Sequence, residues 1–350
     1  MHFSAIRPLR CIRALSRVSL DQLSIKSKLI LMLLLASGLS TLLTALLGYH
    51  SGQVNLSNRV FNQLTSIRAS KAYQIESYFR TIQNHTQTLS EDLSIVAAVQ
   101  QFDAAFQQLE KTTPPPAAAE ALQAYYSTHF LPRLLRNNSG TPNLQAYLPT
   151  AAAARILQNL YIAANPHPVG KKQKLVAASD GSAYSKAHGR YHPFFRDIVA
   201  KFGYYDMFLI NPQGEIVYTV FKETDYATSL QTGPYKDSNL ARLVAKVIAS
   251  KQKDFTRLED FAPYAPSYGA PASFIAAPIH DGSRLVGVLA FQLPVDEINR
   301  VMTGNQGWRK DGLGESGEAI LVGNDQLMRS ASRFYLEDPK GFLEIGRAHV

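Results

Sequence analysis

The chain has 350 residues, 46% apolar and 18% charged, which excludes wholesale disorder and leaves room for one or two folded domains. The net charge is +9, but six basic residues precede Leu29 (Arg7, Arg10, Arg13, Arg17, Lys26, Lys28) against Asp21 alone, so the excess is concentrated at one end. Such a distribution speaks against nucleic acid as a partner. The single cysteine, Cys11, excludes an intrachain disulfide and a cysteine-based zinc site.

Residues 1–28 read as a basic cytoplasmic tail. Leu29–Tyr49 (LILMLLLASGLSTLLTALLGY) has no charge and no proline over 21 residues. At 1.5 Å per residue a helix of that length spans the roughly 30 Å hydrocarbon core of a bilayer. The run exceeds the 7–15 residues of a signal-peptide core and lacks a clear small-x-small cleavage site. It is read as an uncleaved anchor, with the N-terminus cytoplasmic and everything after residue 50 periplasmic or otherwise extracytoplasmic.

Asn55–Glu110 contains no proline, and apolar residues recur at helical spacing: Val60, Leu64, Ile67, Ile75, Tyr78, Phe79, Ile82, Leu89, Leu93, Val96. This predicts one amphipathic helix, or two in line, forming a stalk over 50–110 that can pair as a homodimer. Lys111–Ala119 (KTTPPPAAA) breaks it. Helices are predicted over Ala121–Leu135 and Ala151–Ala164, with a turn at Asn137–Asn143 between them. Lys171–Tyr184 reads as loop, and His192–Phe202 as a helix started by Pro193.

From Tyr204 the period changes to two. Tyr205–Ile210 and Glu215–Val220 predict strands around the turn NPQG. Ser238–Ser250 predicts a helix capped by Asp237 or Ser238. Ser273–Ile279 and Leu285–Leu293 predict a second hairpin around HDGS, followed by a short helix over Val295–Thr303. Glu318–Val322 and Gln326–Arg329 open a third hairpin. The expected fold class is α+β: a transmembrane helix, a long stalk helix, and a PAS-like antiparallel sheet unit with helices over 111–303. The start of a second, truncated PAS-like unit follows over 304–343.

Three stretches carry a family resemblance. FGYYDMFLINPQGEIVYTVFKETDYATSLQTGPYKDSNLARL (202–243), APYAPSYGAPASFIAAPIHDGSRLVGVLAFQLPVDEINRVMT (262–303) and GWRKDGLGESGEAILVGNDQLMRSASRF (307–334) resemble the extracytoplasmic sensor of bacterial double-Cache receptors. The last is similar to the family's GLGxTGExYLVGxDxxMRSxSR signature, with Ser316 and Ala319 as departures. The membrane-entering segment is similar to that of adenylate/guanylate cyclases. The resemblance implies a small-molecule sensor whose signal passes to a cytoplasmic output. A nucleotide cyclase is the favoured output, with a methyl-accepting chemotaxis receptor or a sensor histidine kinase as alternatives. The closing EIGRAHV (344–350) does not continue the family-like run and matches the translation of GAGATCGGAAGAGCACACGTC, a sequencing-adapter read-through. The natural sequence is therefore expected to continue past about residue 343.

No Walker loop, GxSxG or HExxH is present, so the visible chain offers no basis for an enzyme and none for a cofactor. His188 and His192 stand four apart, the spacing of metal ligands on one helix face, with Asp180 nearby. A membrane-anchored periplasmic enzyme built on them is the competing reading, against packing or hydrogen bonding. Ligand-lining candidates are Tyr205, Asp206 and Tyr218 from the first hairpin, Lys222, Asp225 and Tyr235 from the loop after it, and Tyr264, Ser267 and Tyr268 from the loop before the second. Tyrosines offer a flat surface and a hydroxyl, and an Asp–Lys pair can bracket a zwitterion; turn capping, solvation and core packing are the alternatives. The RxWY…D pattern of amino-acid-binding double-Cache domains is absent. Trp308 is expected to be a packing anchor.

Overall fold

The computed structural model describes residues 24–137, 142–250 and 252–347. The basic tail through residue 23 with Cys11, most of the predicted turn after Asn137, and the last three residues lie outside the described residues. The chain divides into two units, one ending at Ile67 and one beginning at Arg68.

In the first unit the apolar run is helical, within α1 (Ile25–Ser90). Its 18-residue window has a mean hydropathy of 2.3 and none of it is buried, so by length and composition it can cross a membrane. The helix stops at Ser90, and Asp92 caps the next one, α2 (Leu93–Glu110), by accepting from the backbone N–H groups of Ser94 and Ile95. The amphipathic stretch is thus two helices with different roles. Ile95, Ala98, Val99 and Phe102 of α2 are fully buried, so this half belongs to the core of the second unit.

Next come α3 (Pro116–Tyr125), a π-helical turn (Tyr126–Phe130) and α4 (Leu131–Asn137), then α5 (Ala152–Gln158) with a second π turn (Asn159–Ala163). Helix α6 (Ala183–Phe202) starts ten residues earlier than Pro193 suggests, capped by Ser182, and carries Pro193 inside it. Its buried stripe is Tyr184, Ala187, His188, Tyr191, His192, Phe195, Ile198 and Val199. Two histidines in that stripe hid the helical period.

The sheet contains β1 (Asp206–Ile210), β2 (Ile216–Thr219), β3 (Arg257–Pro263), β4 (Pro271–Asp281) and β5 (Arg284–Leu293), with α7 (Asn239–Ala249) between β2 and β3. The order is β2-β1-β5-β4-β3, antiparallel throughout. This is the PAS-like α+β arrangement expected from the hairpins. Side chains alternate between two cores. Met207, Leu209, Ile275, Leu289 and Phe291 face α2 and α6, while Phe208, Ile210, Phe274, Val288 and Ala290 face α7. Gly287 permits the close packing of α2, because a Cβ there would lie 2.7 Å from both the Ile210 carbonyl and Val99. Strand β3 escaped the sequence reading. It is a partly exposed edge strand with charged residues and a register shift between Glu259 and Ala262, so it shows no alternation.

After β5 come α8 (Val295–Thr303), α9 (Arg333–Glu337) and α10 (Pro339–Arg347). The third predicted hairpin is reduced to one bridge, Val322 to Met328. Lys71 of α1 donates to the Val301 carbonyl (2.8 Å) and to Asp311 Oδ2 (2.7 Å), tying the connector after α8 to that helix. Trp308 is buried under the guanidinium of Arg333, whose carbon lies 4.9 Å from the ring centre.

Candidate functional site

The site grows from Asp206, the first residue of β1, which lies in register with Gln292 of β5. Asp206 Oδ1 accepts from the backbone N–H groups of Met207 (2.7 Å), Val220 (2.9 Å) and Phe221 (3.0 Å). One carboxylate oxygen thereby pins the start of the loop after β2 to the start of β1. Its other oxygen is buried and has no hydrogen-bond partner among the described residues. Burial, then the neighbouring Asp225, raise the Asp206 pKa. The pinned loop turns sharply, with Lys222 (φ +61°) and Ala227 (φ +63°) in the left-handed region.

Beside this loop is a cavity of about 140 Å³. Tyr125 and Arg133 reach it from either side of the first π turn, and Lys172, Tyr205, Glu223 and Tyr268 close it. Glu223 Oε1 accepts from the Tyr205 hydroxyl (2.8 Å) and Oε2 from the Ser267 hydroxyl (3.0 Å). The Gln292 amide donates to Ser267 in turn (3.1 Å), linking the cavity to β5. Burial, then Asp225, push the Glu223 pKa well above the usual carboxyl range. Lys172 donates to the Asn165 carbonyl (2.9 Å) with its ammonium 5.7 Å from the Tyr125 ring centre, and burial lowers its pKa. Arg133 lies 5.9 Å from the Tyr268 ring centre and donates one N–H to the His129 carbonyl. The arrangement offers two cations with remaining donors, one carboxyl and four aromatic rings including Phe221.

Among the nine sequence candidates, Tyr205, Lys222 and Tyr268 line this cavity. Asp206 is the pin described above, and Ser267 holds Glu223. Asp225 accepts from Tyr264 (2.6 Å), and burial raises its pKa to about 6. Tyr235 donates to Thr224 (2.7 Å). Tyr218 is fully buried and its hydroxyl bonds His192 Nδ1 (2.5 Å). The bracket of Asp and Lys around a zwitterion does not form. The Lys222 ammonium bonds the Thr219 carbonyl and sits against the Tyr218, Tyr226 and Tyr161 rings instead. Sequence reasoning missed Tyr125, Arg133, Lys172 and Glu223. The first three lie on helical and loop segments 50–100 residues upstream of the loop they meet. Glu223 had a signal, since it stands between two chosen residues in KETDY.

The two candidate metal ligands stack, ring centres 4.3 Å apart. His188 Nδ1 bonds the Val176 carbonyl (2.6 Å), and both His192 nitrogens are engaged, Nε2 with the Gln173 carbonyl (2.7 Å). Asp180 lies at a different surface groove with Gln108 and Ser182. Among the described residues no group of three metal-ligating side chains converges.

The sequence matches no family model and no curated protein. Solved structures do resemble it. The sensor domain of the Vibrio cholerae histidine kinase DctB shares 14% identity over 52% of this chain, with a TM-score of 0.27. This chain spans 59% of that domain's length. The ligand-binding domain of the Pseudomonas fluorescens chemoreceptor CtaA, solved with L-valine, shares 15% over 67% of this chain and 78% of its own (TM-score 0.29). The Campylobacter jejuni chemoreceptor Tlp3 domain, also solved with L-valine, shares 10% over 77% of both chains (TM-score 0.29).

Proposed function

We propose that the sheet unit is the extracytoplasmic small-molecule sensor of a transmembrane signal-transduction receptor, and that the cavity at Arg133, Lys172 and Glu223 is its ligand seat. The cavity itself carries this reading: a small space in which cationic donors, a doubly bonded carboxyl and aromatic faces converge from five separate chain segments. Its volume is below the roughly 300–1,000 Å³ of typical drug-sized sites, which suits a small molecule. Arg133 and Lys172 favour a ligand with a carboxylate or other acceptor group. The apolar helix supports a membrane anchor. Pairing of two copies through α1 is part of the same reading, as is a second Cache-like unit beginning near residue 304. A nucleotide cyclase is the output that the sequence resemblance favours; a methyl-accepting chemotaxis receptor or a sensor histidine kinase fits the same sensor.

The test is a thermal-melt screen of the full chain in detergent against small carboxylates, amines and zwitterions, repeated on Arg133→Ala and Glu223→Gln. The expected result is a ligand that raises the wild-type Tm and binds each variant about tenfold more weakly. No shift across the panel, or shifts that both variants retain in full, refutes the assignment.

A further inference from the structure

Lys222 is 2% exposed, yet its ammonium bonds only the carbonyls of Thr219 and Val220, and among the described residues it forms no ion pair. What surrounds it is aromatic. The nitrogen lies 4.4 Å from the ring centre of Tyr218, 5.1 Å from that of Tyr226 and 5.9 Å from that of Tyr161. Each ring is fixed through its hydroxyl: Tyr218 to His192 (2.5 Å), Tyr226 to Tyr184 (2.8 Å) and Tyr161 to Ser185 (2.9 Å). Three rings held in place around one cation form a preorganised cage, the arrangement that recognises organic ammonium ions. The occupant, by contrast, is held awkwardly, with Lys222 in the left-handed region that side chains rarely adopt. Lys222 also lines the ligand cavity, so cavity and cage adjoin at this residue.

We propose that the Tyr161–Tyr218–Tyr226 cage is a binding subsite for a primary organic ammonium group, and that Lys222 fills it in cis as a tethered competitor. An amine entering from the cavity would have to displace Lys222, which releases the loop held by Asp206. Burial lowers the Lys222 pKa to about 7 and Asp206 works against that shift. His188 and His192 are kept neutral by burial and then by Lys222 itself. The proposal rests on the cavity reading only for the route by which an amine arrives.

The experiment removes the tether. In Lys222→Gly the cage is open and the left-handed backbone is tolerated. n-Butylammonium reproduces the missing side chain, and n-butanol is its neutral counterpart. The Tm of the full-chain variant should rise with n-butylammonium, with affinity about tenfold above that for n-butanol. Wild type and Lys222→Met, whose cages are filled, should not respond. If Lys222→Gly does not fold unaided, the yield of refolding with each additive is the readout. Equal rescue by the alcohol, equal response of wild type, or no rescue overturns the proposal. Failure of the cavity reading shows separately, in the Arg133 and Glu223 variants, and leaves this assay unaffected.

Discussion

Acidification should destabilise the sheet unit through His192. Burial, then the nearby Lys222 charge, depress the His192 pKa to about 3. In the unfolded chain it titrates near 6.5. Between those values the unfolded chain binds a proton that the folded one refuses. The stability tied to neutral His192 is therefore complete above the unfolded value and is lost as pH falls toward the folded one. At pH 5 protonation favours the unfolded chain by a factor of about 30, or about 2 kcal/mol. For a unit of this size that is a Tm loss of about 4–8 °C. The structural cause is specific. Both ring nitrogens are committed, to the Tyr218 hydroxyl and the Gln173 carbonyl, and the stacked His188 shifts in the same direction. The assay is urea unfolding of wild type and His192→Gln at pH 8 and pH 5. Carboxylates titrate in both proteins, so the informative quantity is the difference between them. His192→Gln should start less stable at pH 8 and lose about 2 kcal/mol less on acidification. Equal losses would refute the claim that this histidine is held neutral.

Two further outcomes follow from the packing. Lys71→Met or Asp311→Asn removes a charge-assisted bond of 2.7 Å and should cost about 2 kcal/mol, with a double-mutant cycle returning a coupling energy above about 0.5 kcal/mol; additive effects would mean that the contact does not tie α1 to the connector. Phe102→Ala should cost about 3–5 kcal/mol, because Phe102 is fully buried against Tyr184, Tyr191 and Tyr218. A near-neutral result in chemical denaturation would return α2 to the role of an exposed stalk.

The sheet was legible because its strands alternate cleanly. Residues 206–210 and 285–293 send successive side chains to opposite cores, and NPQG and HDGS mark their turns. Helices α7 and α8 were legible from a cap and a stripe, Ser238 with Leu240, Leu243, Val244 and Val247 in the first case. Where a buried face was polar, the period disappeared. His188 and His192 concealed ten residues of α6, and the charged edge strand β3 gave no signal at all. The division between α1 and α2 was equally hidden, since an amphipathic stripe records which face is apolar and not what it packs against.

The sequence by itself determined the apolar span, the antiparallel hairpins and the chain segments that carry tyrosines and acids. All of these follow from local composition and from periods of two or 3.6. Only the tertiary structure decided which of those groups meet. It brought Arg133 and Lys172 to Glu223 across fifty to ninety residues, and it turned Lys222 inward among three rings. Those choices depend on the Asp206 pin and on a backbone turn through the left-handed region, and neither leaves a period in the sequence.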